Sequence, residues 1–246
     1  MQKSTPTVSL FIPCLVDQVY PNIGFAMVKV LKHFGYPVKY HKQQTCCGQP
    51  AFNAGQWDEA RKVAANLVNV FKEDEIIIGP SGSCVGMIRN YYGDLFKNDK
   101  LIDNAINIGK KVFEFSEFIH KENLTEKISG KFSGRVGFHN SCHSYRELGI
   151  SQQPINIMNQ IKGFTWAQPQ GEPVCCGFGG LFSIKYAPIA ETMAKTRIEM
   201  FTNCGADTIV SNDPGCIMHM KQEAIDLNIT IKIMHLTEFI AEAMNL

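Results

Sequence analysis

Apolar positions along this chain recur with two different periods, and the two alternate. Residues 8–13 (VSLFIP) form a short apolar run that predicts a buried strand ending at Cys14. Over 20–34, Ile23, Ala26, Met27, Val30, Leu31 and Phe34 fall at the spacing of one helix face, and Gly35 stops the helix. A short strand over 37–40 leads through a polar loop to a second helix over 57–71. Residues 75–79 (EIIIG) are a β-branched run suited to a strand covered on both faces. A turn at 80–83 then opens a short helix through Tyr91. A helix over 101–108, a strand over 111–115 and a helix from Ser116 complete the first half.

The second half replays this order. Strands are expected over 135–139, 163–166 and 208–211, helices over 154–161 and 186–203, and a turn at 212–215. The stretches 111–119 (KVFEFSEFI) and 232–240 (KIMHLTEFI) match as a strand running into a helix that Ser116 or Thr237 would cap. The repeat period is roughly 125–130 residues, far longer than a solenoid unit. Strand alternating with helix predicts an α/β chain of two pseudo-repeated domains, each a mainly parallel sheet covered by helices. The expected domains are 1–125 and 130–246, with the boundary inside 121–134, a polar stretch holding Gly130 and Gly134.

With 45% apolar and 19% charged residues, the chain can bury a real core. A net charge of +1, with no basic run, gives no support to nucleic-acid capture. No apolar run approaches the roughly 20 residues that span a bilayer, so no membrane insertion is expected. Residues 8–16 hold Pro13 and lack a small-residue cleavage site, and read as a strand, not a signal peptide. A cytoplasmic location is therefore expected, where thiols stay reduced and cysteine clusters serve metals or catalysis.

The cysteines carry the chemistry. Eight of the nine fall into two copies of one pattern, Cys14, Cys46-Cys47-Gly48, Cys84 and Cys142, Cys175-Cys176-Gly177, Cys216. Every one follows a predicted strand, and in parallel sheets ligands bind outside the carboxyl ends of the strands. Four thiols per copy suffice for a [4Fe–4S] cluster or a tetrahedral zinc. Adjacent side chains diverge, which strains a site for one small ion and suits separate iron atoms. Iron–sulfur is the favoured reading, with zinc at one site as the alternative. His219, three residues after Cys216 on an expected helix, is a further candidate ligand or hydrogen-bond donor to the centre; copy one has Met87 there. His139 and His143 flank Cys142 and are candidates to donate hydrogen bonds to the site, with ordinary loop residues the favoured reading, and Cys204, outside both patterns, reads as structural. Residues 177–180 (GFGG) lack the order of a nucleotide-binding loop. No flavin or nicotinamide fingerprint is present, so hydride chemistry would fall to a partner.

The spacing resembles that of the duplicated cysteine-rich CCG domain family. Its members include a heterodisulfide reductase subunit and iron–sulfur subunits of glycolate and glycerol-3-phosphate oxidising enzymes. A free-standing pair of copies is most similar to the A subunit of bacterial lactate-utilisation systems. The resemblance implies an electron-transfer subunit of an L-lactate oxidising system with two companion subunits, at least one of them an iron–sulfur protein. Ser81 and Asp213 stand where the family's fuller pattern has a further cysteine, so direct disulfide reduction is not carried over. A zinc-holding assembly subunit and a thiol–disulfide redox protein stay open beside the electron-transfer reading.

Overall fold

Each half of the chain builds one four-stranded parallel sheet. In the computed structural model, which describes residues 5–171 and 174–246, the first sheet holds β1 (Val8–Leu10), β2 (Val38–Tyr40), β3 (Ile77–Gly79) and β4 (Val112–Glu114) in the order β2-β1-β3-β4. The second repeats it as β6-β5-β7-β8, with β5 (Gly130–His139), β6 (Ile161–Trp166), β7 (Thr208–Ser211) and β8 (Lys232–His235). Every strand pairing is parallel. The α/β class expected from the sequence, with two parallel sheets flanked by helices, is the one observed. In each sheet the chain leaves the first strand on one side and returns on the other. The carboxyl ends of β1 and β3, and of β5 and β7, thus border a switch point where departing loops leave a crevice.

The first half carries helices α1 (Cys14–Gln18), α2 (Pro21–His33), α3 (Gln49–Asn53) and α4 (Trp57–Phe71). It continues with α5 (Gly82–Gly86), α6 (Tyr92–Leu95), α7 (Ile102–Lys111) and α8 (Phe115–Lys121). The second adds α9 (Gln152–Met158), α10 (Leu181–Lys185), α11 (Ala187–Asn203), α12 (Pro214–Asp226) and α13 (Leu236–Ala243). Pro21 opens α2, where its missing N–H costs nothing. The long helices that follow each cysteine pair show the duplication most closely. Helix α4 buries Ala60, Ala64, Leu67, Val68 and Phe71, and α11 buries Ala190, Ala194, Arg197, Ile198 and Phe201 at the same spacing. One position breaks the match: Arg197 stands where α4 has Leu67.

The halves share a core. A single apolar cluster joins Met27, Phe115 and Phe118 of the first half to Phe132, Phe239 and Ile240 of the second. Each such side chain contributes on the order of 1.5–3 kcal/mol by leaving water. Thr237 Oγ1, on α13, donates to the carbonyl of Ile23 on α2 at 3.1 Å. Among the described residues no helix is long and apolar enough to cross a membrane.

The structure corrects several local expectations. Residues 130–134 are not linker but the start of β5, pairing with β6 across an irregularity between Lys131 and Gly134. Gly130 is required there because a Cβ would overlap the carbonyl of Ala243. Ile161 begins β6 instead of ending a helix. Ser116 and Thr237 are not the caps. The caps are Glu114 and His235, each two residues earlier. Glu114 accepts from the N–H groups of Ser116 at 2.8 Å and Glu117 at 3.2 Å, and Glu117 returns a bond to the Glu114 N–H at 3.3 Å.

Glu114 is fully buried and burial pushes its pKa from 4.5 up to about 7, against the lowering effect of the Ser116 and Glu117 donors. Its Oε1 has no partner among the described residues. A raised carboxyl pKa favours the fold below the unfolded value of 4.5, and that contribution is lost as pH climbs through about 7. Glu114→Gln keeps an acceptor for the cap and cannot ionise. Its stability relative to the parent chain should rise by up to about 3 kcal/mol between pH 4.5 and 8. Urea unfolding across that range, under reducing conditions, checks this; a constant difference refutes it.

Candidate metal centres

Each strand end hands one part of a thiol cluster to the same sheet edge. Cys14 is the first residue of α1 beyond β1, Cys46 and Cys47 lie in the loop after β2, and Cys84 sits in α5 after β3. Cys142 follows β5, Cys175 and Cys176 precede α10, and Cys216 sits in α12 after β7. The Sγ atoms of Cys14 and Cys46 are 3.6 Å apart. Cys46 in turn contacts Cys47, and Cys47 contacts Cys84. The second half repeats the series as Cys142, Cys175, Cys176 and Cys216. The structure thus gathers all eight predicted cysteines into two quartets, and no cysteine forms a disulfide among the described residues.

Neighbouring thiols decide where negative charge settles. Donation from Cys14 and then Cys47, aided by the Gly48 N–H at 3.4 Å, pulls Cys46 well below the ordinary thiol range. Cys142, Cys176 and the Gly177 N–H at 3.4 Å do the same for Cys175. Cys14 and Cys142 are pushed up by those same contacts and then by burial. The glycine after each pair is needed twice over. Gly48 and Gly177 both adopt φ +85°, which L side chains resist. A Cβ would also lie 3.0 Å from the Ala60 carbonyl in one half and 2.5 Å from that of Ala190 in the other. Tyr92, fully buried, donates to the Cys47 carbonyl at 2.9 Å and fixes the loop from behind.

The two quartets open onto one cavity of ≈ 180 Å³, whose walls include all eight cysteines. Its floor is tied across the halves by Asp213. One Asp213 oxygen accepts from the Ser83 N–H at 2.9 Å and the Ser81 hydroxyl at 3.4 Å, the other from the Gly215 N–H at 3.0 Å. The halves meet closely enough that a Cβ on Gly82 would overlap the Ser144 hydroxyl. Soft thiolates with glycine N–H donors beside them fit a thiophilic metal centre in each half.

The histidines are placed differently from the sequence reading. His219, the candidate ligand, donates from Nε2 to the Ala190 carbonyl at 3.1 Å and packs its ring against Phe178. His139, for which the sequence favours the loop reading over a donor role, is the buried last residue of β5. One of its ring nitrogens lies within 4.8 Å of the sulfurs of both Cys176 and Cys216. Its Nδ1 accepts from Arg197 Nε at 3.0 Å. Burial, with the Arg197 charge second, lowers the His139 pKa to about 3, so the ring is neutral. The available signal was positional: His139 precedes Cys142 by the three residues that separate Phe11 from Cys14. Cys204, outside both quartets, caps α11, and its carbonyl accepts from Arg135 at 2.9 Å.

Alanine at either glycine is expected to destabilise the chain by about 1–3 kcal/mol. Gly177→Ala should cost more than Gly48→Ala, since its Cβ meets backbone more closely. Urea midpoints of the two metal-free variants test this ranking, and a Gly177→Ala chain as stable as its parent rules out the close-approach account.

Comparison with known proteins accords with this geometry. The cysteine-rich CCG domain matches residues 8–89 and 136–221, one copy per sheet. Lactate utilization protein A 2 of Bacillus cereus (strain 03BB102) is 33% identical over 239 residues, 97% of this chain and 99% of its own. Lactate utilization protein A of Halalkalibacterium halodurans is 35% identical over 94% of this chain and 95% of its own. Its Bacillus subtilis (strain 168) counterpart is 35% identical over 94% and 97%. The chain belongs to the cysteine-rich CCG domain family, in the branch that includes the lactate utilization A proteins.

Proposed function

We propose that this chain is a cytoplasmic iron–sulfur electron-transfer subunit of a system that oxidises L-lactate, or a close 2-hydroxy acid. One observation carries the reading: two thiol quartets, one from each half, open onto a single shared cavity. Relatives named for lactate utilization at full-length coverage supply the substrate class. Cys14, Cys46, Cys47 and Cys84 would hold one centre, and Cys142, Cys175, Cys176 and Cys216 the other. Each centre, when bound, supplies one-electron chemistry. The protein's part is to gather the thiols, donate N–H groups from Gly48 and Gly177, and bury the inner cysteines Cys47 and Cys176. Removal of hydride from the substrate carbon falls to a companion subunit.

The convergence of His139, Cys176 and Cys216 supports a second reading, zinc in the second half. Metal analysis separates the two. Anaerobic purification should yield about four iron and four sulfide per half, and zinc below stoichiometry. Iron in only the first half, with one zinc in the second, establishes the alternative. A chain with neither iron nor sulfide after anaerobic reconstitution refutes the electron-transfer function. Cys47→Ser and Cys176→Ser should each remove one half's iron and leave the other's in place.

A further inference from the structure

The two halves differ behind their quartets. Phe11 and His139 occupy matching places, each three residues before the first cysteine and each at the end of the central strand. Leu67 and Arg197 match by the burial spacing of their helices, which Gly48 on Ala60 and Gly177 on Ala190 hold in the same register. The back of the first site is therefore hydrocarbon, with Phe11 packed edge-on against Phe71 at 6.2 Å. The back of the second holds a guanidinium and an imidazole.

Arg197 is only 3% exposed. It lies over the Phe201 ring at 4.3 Å and donates to His139, and no carboxylate pairs with it among the described residues. A buried cation without a counter-charge costs several kcal/mol. The charges that favour its protonated form are those of Cys176 and Cys216. Arg197 thus fits a fold in which those sulfurs are anionic.

The same contact fixes the imidazole. A guanidinium N–H can only donate, so His139 Nδ1 accepts and the ring proton resides on Nε2. That Nε2 is buried and finds no acceptor in the described protein. With Nδ1 taken up by Arg197 and one ring nitrogen within 4.8 Å of the Cys176 and Cys216 sulfurs, the centre those sulfurs would hold is the acceptor left for Nε2.

We infer that Arg197 and His139 form a positioning relay for the second centre, in which Arg197 sets the ring so that His139 Nε2–H is donated to that centre's sulfur and raises its reduction potential. The inference rests on the iron–sulfur reading above. Reduction adds one electron and one negative charge to the centre, which a donated N–H and a buried cation both favour. Donating that N–H needs no proton transfer, because the bond from Arg197 already leaves the ring hydrogen on Nε2. Asp213 acts in the opposite sense on Cys142 and Cys216, and it stays in place when the pair is altered. The relay also keeps His139 out of the ligand set, since Nε2 carries a proton.

The test transplants the first half's residues. Arg197→Leu and His139→Phe, with Arg197→Lys as the charge-conserving control, are reconstituted anaerobically, counted for iron and sulfide, and titrated with EPR detection of both centres. Each transplant should shift the oxidised-to-reduced ratio of the second centre at least tenfold toward oxidised, about 59 mV for one electron, and leave the first centre unmoved. Arg197→Lys should recover part of the shift. Both centres present with potentials unmoved overturns the relay alone. Loss of iron from the second half in His139→Phe makes His139 a ligand and also overturns it. Parent chain without iron in the second half overturns the iron–sulfur reading and the relay with it. Nitrogen-15 NMR of the metal-free parent gives an independent readout: the Nε2–H tautomer at His139 is expected, and the Nδ1–H tautomer overturns the relay whatever the metal.

Discussion

The parallel strand order is the constraint on which the rest depends. Parallel strands deliver the segments that follow them to one edge of the sheet, and a sheet that grows to both sides of its first strand opens a crevice at that edge. Cys14 and Cys84 border the crevice of one sheet, Cys142 and Cys216 that of the other, and each Cys-Cys-Gly loop arrives from the neighbouring strand. Sulfurs as far apart in sequence as Cys14 and Cys84 meet with no dedicated binding loop. The glycines complete the arrangement, because only a residue without Cβ lets the loop lie against the carbonyls of α4 and α11.

The duplication is strict where packing demands it and relaxed where charge can do something. Alanines at matched places on α4 and α11 are retained because the loop glycines press on them. Phe71 and Phe201 are retained as core. Yet Leu67 becomes Arg197 and Phe11 becomes His139, a double replacement of hydrocarbon by polar groups at full burial. Either change alone would leave an unpaired buried group, at a cost of about 1–3 kcal/mol or more. Together each supplies a partner to the other, and His139 Nε2–H is left without one among the described residues. Mutual satisfaction is the physical reason the two departures occur as a pair.

Much of the fold was legible because parallel sheets leave clear marks. The run at 75–79, the helical stripe over 20–34 and the matched segments 111–119 and 232–240 all gave element types that the structure repeats. The quartets were legible because duplication doubled a weak spacing signal. The helix caps were misassigned because a buried Glu and a neutral His can each accept from N–H groups two and three residues on, a role that Ser and Thr suggest more readily. The start of β5 was hidden by glycines that mark close backbone approach there and not a linker. A donor role for His139 ranked below the loop reading because a histidine near a cysteine in sequence carries no directional signal. Only the strand register, which ends β5 on it, turns the ring toward α11 and Arg197.

The shared core sets how the two centres are related. If each half were packed by itself, the crevices could open and close on a hinge, as in proteins that enclose a small molecule. Here Phe115 and Phe118 lie in one cluster with Phe132 and Phe239, and α13 of the second half is bonded to α2 of the first. On the crevice side Asp213 is bonded to the turn that carries Cys84, and Gly82 rests on Ser144. Separating the crevices would expose several aromatic side chains, each at a cost of on the order of 1.5–3 kcal/mol, and would strand a buried carboxylate. The spacing between the two quartets is therefore a property of the folded core. A fixed spacing suits a protein through which electrons pass, and a closing cleft would suit one that must admit and release a substrate.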